Sequence, residues 1–200
     1  MSEIRETRRA AILLAACEEF CEKGYESARM EAIARRAGIG KSTVYEYFPS
    51  KLEITAAVSE WAVDQLSARI HDIFLPDRPL HEMICAYFTL MFEAARKMGG
   101  HMLTMHGDPA VVQIMHRNIQ RITETIQQEA GDAIRRAQRR GEVSMGVTPQ
   151  AITSLLLSLP GPQMLALWSE SDSQQRIDEL VDVLFTGFAP RQAADAKANG

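Results

Sequence analysis

Run after run, this chain places apolar residues three and four positions apart and then halts at glycine or proline, a rhythm that fits α-helices far better than strands. Ile12, Leu13, Ala16, Cys17 and Phe20 form the first stripe, with Glu18, Glu19, Glu22 and Lys23 interleaved and Gly24 as its stop. A short helix follows over about 30–37, Gly38 interrupts it, and another runs from near Gly40 to just before Pro49. Ser50-Lys51-Leu52-Glu53 reads as a capping box: the serine hydroxyl accepts from the Glu53 amide, the Glu53 carboxylate returns to the Ser50 amide, and a long fourth helix starts at Lys51. Pro76 and Pro79 break the chain before the stripe Leu80, Ile84, Tyr87, Phe88, Met91, Phe92 and Ala95, which Gly99-Gly100 ends. After a short irregular connection over 102–109, apolar residues from Met115 to Ala137 step by three or four until Gly141. Thr148-Pro149 reads as an N-cap with proline at the first helical position. It opens a segment over 151–168 that Pro160-Gly161-Pro162 must kink or split, and a last stripe runs from Ile177 to Phe188. No two-residue alternation, hairpin chemistry or long repeat interrupts this pattern, so the expected fold is all-α, with eight or nine helices.

Composition narrows the function. The formal charge of -4 over 200 residues speaks, on average, against a nucleic-acid binder. The N-terminal segment is charged and no secretory apolar core follows it. No apolar run approaches the roughly twenty residues of a membrane span, so no membrane association and a cytoplasmic location are expected. Cys17, Cys21 and Cys85 form no zinc-type C-x-x-C pair, and Cys17 and Cys21 read as small apolar packers on the first helix.

The averaged charge conceals a local exception between Met30 and Phe48. Ala34 is small where two helices would cross closely, Gly38 can take the left-handed turn conformation, and Ile39 and Val44 plug the angle between the helices. Ile33 and Ala37 face the first helix, so three short helices share one small core. The second of the pair then presents Lys41, Ser42, Thr43, Tyr45, Glu46 and Tyr47 outward. Small polar residues at its start can approach base edges in a major groove, and its N-terminus favours a phosphate. Residues 29–51 carry five basic side chains, Arg29, Arg35, Arg36, Lys41 and Lys51, against Glu31 and Glu46, and the preceding arm adds Arg5, Arg8 and Arg9. An ordinary helical hairpin with a solvated charged face would not need so many steric conditions met together.

Over residues 12–54 these positions resemble the DNA-binding domain of TetR-family transcriptional regulators. The resemblance is carried by Ala15-Ala16, Phe20, Gly24-Tyr25, Ile33-Ala34, Ala37-Gly38, Thr43-Val44-Tyr45, Tyr47-Phe48 and Ser50-Lys51. It implies that Thr43, Tyr45, Tyr47 and Lys51 touch DNA, mostly phosphates, while the start of the recognition helix contacts bases. The expected DNA-binding set is therefore Arg29, Lys41, Ser42, Thr43, Tyr45, Tyr47 and Lys51. Two positions depart from the family pattern. Ala28-Arg29-Met30 lacks the common Ser or Thr cap, and Glu46, where a neutral polar residue is frequent, either accepts from a cytosine amino group or points away from the phosphates.

The expected organisation is a helix-turn-helix DNA-binding domain over 1–50, a larger helical effector-binding and dimerisation domain over 51–188, and a disordered tail over 189–200. The apolar faces of the last two helical segments suit a homodimer interface. A two-fold dimer would set its recognition helices about one DNA turn apart and read a palindromic operator in double-stranded DNA. Trp61, Tyr87, Phe88, Met91, Met102, Met105, Met115, Ile119 and Trp168, with His106 and His116 as polar contacts, could line an adaptable pocket for a small-molecule effector. The same stripe is also what a plain core looks like.

Enzymatic readings find no footing. Gly40-Lys41-Ser42 imitates the end of a phosphate-binding loop, but Arg35 stands where that motif needs glycine and no strand precedes it. There is no H-E-x-x-H, and His101, His106 and Asp108 match no helical metal spacing. No catalytic residue, metal or cofactor is expected. The expected function is a homodimeric, ligand-responsive DNA-binding regulator, a repressor released from its operator by a small apolar or amphipathic effector. The alternative is an all-helical effector-binding protein or enzyme whose first three helices are only structural.

Overall fold

A computed structural model describes residues 2–75, 77–98, 108–159 and 172–188. Among them are eight helices and no strand: α1 (Ser2–Ser27), α2 (Met30–Arg36), α3 (Lys41–Tyr47), α4 (Lys51–Phe74), α5 (Leu80–Met98), α6 (Pro109–Arg140), α7 (Pro149–Ser158) and α8 (Ser173–Phe188). The chain divides into two compact units: residues 1–66 with 97–122, and residues 67–96 with 123–200.

Local chemistry explains most boundaries. Gly38 (φ 68°) ends α2 in a Schellman motif, with the Ile39 amide donating to the Ala34 carbonyl (3.0 Å) and the Gly38 amide to Arg35 (3.2 Å). Gly141 (φ 79°) ends α6 the same way, through Glu142 to Ala137 and Gly141 to Gln138. The Thr148 side chain caps α7 by accepting from the Ala151 amide at 3.2 Å, with Pro149 in the first turn. At α4 the Glu53 amide donates to Ser50 Oγ (3.1 Å), whereas the Glu53 carboxylate lies 3.5 Å from the Ser50 hydroxyl, so this cap closes side chain to side chain.

Gly24, expected to stop the first helix, is a non-helical kink (φ 73°) after which α1 resumes to Ser27, and α6 already begins at Pro109. The start of the chain also differs from the sequence expectation. The segment before Ile12, expected as an arm, is helical from Ser2. From Glu3 to Ala11 it is exposed and carries no apolar stripe. Its Glu, Arg and Ala residues are strong helix formers, and they extend α1 by propensity where periodicity is silent. The 102–107 connection, the chain around Pro160-Gly161-Pro162 and the 189–200 tail lie outside the described residues.

In the first unit, Ile12, Leu13, Ala16, Ile33, Ala34, Val44, Phe48, Ile54 and Val58 make one buried cluster joining α1, α2, α3 and the start of α4. In the second unit the core centres on Tyr87, whose ring meets Phe74 (5.8 Å) and Phe88 (5.4 Å) and whose hydroxyl donates to the Leu156 carbonyl (3.1 Å). The loop after α6 is pinned from inside by buried Gln138, which donates to the Ser144 and Val147 carbonyls at 3.1 and 2.8 Å.

Candidate nucleic-acid interface

The helix pair α2–α3 is fixed from its inner side. Ile33 and Val44 are fully buried, and Ile39 packs on the same cluster, so the angle between the helices is set by apolar contact on both sides of the Gly38 turn. From outside, the Arg36 guanidinium reaches from the end of α2 to Glu19 (3.0 Å), Glu22 and Glu18 on α1. Glu19 is buried, and this contact satisfies its carboxylate. The acidic cluster on α1 is thus a clamp on α2 rather than a solvated face.

What remains outward is α3. Lys41, Ser42, Tyr45 and Glu46 are exposed and Thr43 and Tyr47 half-buried. Tyr47 packs on the core and lies under Arg5 of α1, whose guanidinium is 5.8 Å from the ring centroid. Arg9 sits 5.5 Å from the Phe48 ring. The helical start of α1 therefore brings two cations to the C-terminal end of the recognition helix, and the sequence, read as an arm, did not place them there. Arg29 occupies the extended N-cap position of α2, exposed and without a side-chain cap, as the Ala28-Arg29-Met30 departure implied.

The two lysines of the expected set are engaged. Lys41 forms an ion pair with Glu31 at the start of α2 and lies 5.7 Å from the Tyr45 ring. The pairing raises the ammonium above its ordinary range and lowers the Glu31 carboxyl. Lys51 donates to the Glu26 carbonyl at 3.0 Å and stands 4.6 Å from the Tyr25 ring; burial pushes its pKa down. Asp108 lies close to Tyr25, and burial followed by that carboxylate raises the tyrosine's phenol. Asp108 caps α6 through the Ala110 amide at 2.9 Å. One tyrosine thus joins the end of α1, the start of α4 and the start of α6. Three residues separated by up to 83 positions carry no periodic signal that could have announced this.

The described members of the expected effector set fall in both units. Trp61 packs against the first unit's core; Met115 is half-buried and His116 and Ile119 exposed on the same unit's part of α6. Tyr87 and Phe88 are buried in the second unit's core, with Met91 half-buried on the same helix. Met102, Met105, His106 and Trp168 lie outside the described residues, as does His101. Among the described residues no group of three metal-ligating side chains is placed to hold an ion, and no helix is long and apolar enough to cross a membrane.

The family model for bacterial regulatory proteins of the tetR family matches residues 12–58, spanning α1 to the first turns of α4. The HTH-type transcriptional regulator SrpR of Pseudomonas putida is 30% identical over 170 residues, covering 78% of this chain and 76% of SrpR. The chain belongs to the TetR family. The HTH-type transcriptional activator FasR of Mycolicibacterium smegmatis is 47% identical over 62 residues, 31% of this chain and 28% of FasR. Among solved structures, the regulator FadR of Bacillus subtilis in complex with stearoyl-CoA superposes with a TM-score of 0.63 at 15% identity, covering 88% of this chain and 95% of FadR. The matched proteins are transcriptional regulators, so this TetR-family chain is a DNA-binding regulator with a helix-turn-helix reader and not an enzyme.

Proposed function

We propose that this TetR-family chain acts in the cytoplasm as a homodimeric repressor that leaves a palindromic operator when a small apolar or amphipathic effector binds. Arg29, Lys41, Ser42, Thr43, Tyr45, Tyr47 and Lys51 form its DNA face. The observation that carries the ligand response is the Tyr25 junction: its ring holds Lys51 at the head of α4, and the Asp108 carboxylate at the head of α6 lies near enough to raise its phenol. Any ligand that prefers a different setting of α4 or α6 must work against that junction, and population shift then alters the angle at which α3 is offered to DNA. Dimerisation draws support from α7 and α8. Ile152, Leu156, Ile177 and Val181 are buried, while Leu155 (43% exposed) and Val183 (71%) leave each helix with a second apolar edge turned to solvent. The complex of FadR with stearoyl-CoA supports an amphipathic ligand class.

Selection of DNA from a random duplex pool by the purified full chain, with sedimentation of the protein and complex, tests the reading. A palindromic consensus bound by two chains is the expected result. Absence of palindrome-selective binding at every salt concentration would refute it.

A further inference from the structure

Residues 29–51 look cationic in sequence, yet the fold spends most of that charge internally. Arg36 is held by Glu18, Glu19 and Glu22, and Lys51 by a carbonyl and a ring. Lys41, the first residue of the recognition helix, is paired with Glu31 and flanked by the Tyr45 ring. Among the described residues Arg29, Arg35 and Lys51 make no ion pair, although Arg29 lies near enough to Glu31 to help lower its carboxyl. Both members of the Lys41–Glu31 pair are more than half exposed, at 54% and 55%, so it lies in the solvent that DNA must displace.

We propose that Glu31 is a positioning residue that presents its carboxylate to Lys41 as an internal stand-in for DNA phosphate, so that DNA must compete with it for the lysine. A carboxylate oxygen on the Lys41 ammonium imitates what a phosphate oxygen would offer it. A paired lysine carries no net charge toward the duplex and releases no counterion when the protein lands. When Lys41 does move to a phosphate, Glu31 is left beside the backbone and gathers a cation in exchange, so the pair adds nothing to the salt dependence either way. The lowered Glu31 carboxyl and raised Lys41 ammonium keep the pair charged through the neutral range. The idea rests on α3 being the DNA-facing helix and extends it: Glu31, outside the recognition helix and absent from its expected contacts, sets how strongly any duplex is held.

The test is a double-mutant cycle on the full chain with E31Q, K41M and the double variant, titrated against a pool of random-sequence duplexes over a range of salt. E31Q should steepen the slope of log affinity against log salt by about 0.9 per subunit bound. It should also tighten low-salt binding by about two- to fivefold, the range expected of an exposed ion pair. K41M should change the slope little in the parent chain and remove about 0.9 in the E31Q background. An unchanged slope in E31Q overturns the proposal. So does an E31Q effect that persists in K41M, which would mean that Glu31 repels DNA directly. Weaker binding by E31Q, confined to a selected site, would make Glu31 a base contact and equally overturn it. Unfolding curves of the three variants report folding separately, and failure of DNA binding by the parent chain would instead refute the DNA face itself.

Discussion

Lys51 offers a sharp test because the structure gives it two roles that separate experimentally. Lys51→Met keeps the aliphatic stem and removes the ammonium. Lost with it are the hydrogen bond to the Glu26 carbonyl (3.0 Å), worth about 0.5–1.5 kcal/mol net, and the half-exposed contact with the Tyr25 ring (4.6 Å), worth about 0.5–1 kcal/mol. The sum is about 1–2 kcal/mol, since the lysine is only half-buried and water recovers part of the loss. For a chain of this size that is a fall of about 3–6 °C in melting temperature. The ammonium has three donors and uses one on Glu26, so a phosphate can still be bound. If it is, Lys51→Met should also flatten the salt slope of DNA binding by about 0.9 per half-site. Urea unfolding followed by circular dichroism reads the first quantity and a fluorescence-anisotropy salt series the second. Unchanged stability would refute the pin between α1 and α4; an unchanged slope would refute the phosphate contact.

Four further outcomes are expected. Gly38→Ala should cost about 0.5–1.5 kcal/mol in urea unfolding: a Cβ there meets nothing within 4 Å, which leaves only the left-handed φ of +68°, partly offset by the stiffer unfolded chain; a loss above about 3 kcal/mol would mean a steric neighbour. Tyr87→Phe leaves the buried Leu156 carbonyl unpaired and should cost about 1–2 kcal/mol in the same assay, whereas no loss would disprove the 3.1 Å bond. The Cys17 thiol lowers Cys21 while burial lifts Cys85 to about 11, so iodoacetamide at neutral pH should label Cys21 before Cys85 in peptide mass spectra; Cys85 reacting first contradicts this. Glu129, 3.0 Å away, raises His71 above its ordinary 6.5, so the pair's contribution is complete below about pH 6.5 and lost as pH rises through the higher folded value. The melting temperature should lose part of its pH slope in His71→Gln, and an identical slope would place the titration elsewhere.

Sequence reached furthest where a local rule has a single structural answer. Apolar spacing required helices, Gly38 and Gly141 required left-handed stops, Thr148-Pro149 required a helix start, and the Met30–Phe48 pattern required a helix-turn-helix, because each depends on residues within a few positions of one another. Propensity without periodicity hid the first turns of α1, and with them Arg5 and Arg9 beside the recognition helix. The proposed effector residues show the other limit: a stripe of Met and aromatic side chains has the same spacing in a core as in a pocket, and the burial of Tyr87 and Phe88 fits either.

Net charge shows the division most clearly. The amino-acid sequence by itself determined an acidic chain with a locally basic reader, and therefore the kind of surface that meets DNA. Only the tertiary structure decided which of those charges remain available, because pairing depends on distance in space: Arg36 lies on Glu19 and Glu22, seventeen and fourteen positions away, Lys41 on Glu31, and Lys51 on the carbonyl of Glu26. A Coulomb interaction or a hydrogen bond is indifferent to how much chain separates its partners, and chain separation is what periodicity reads.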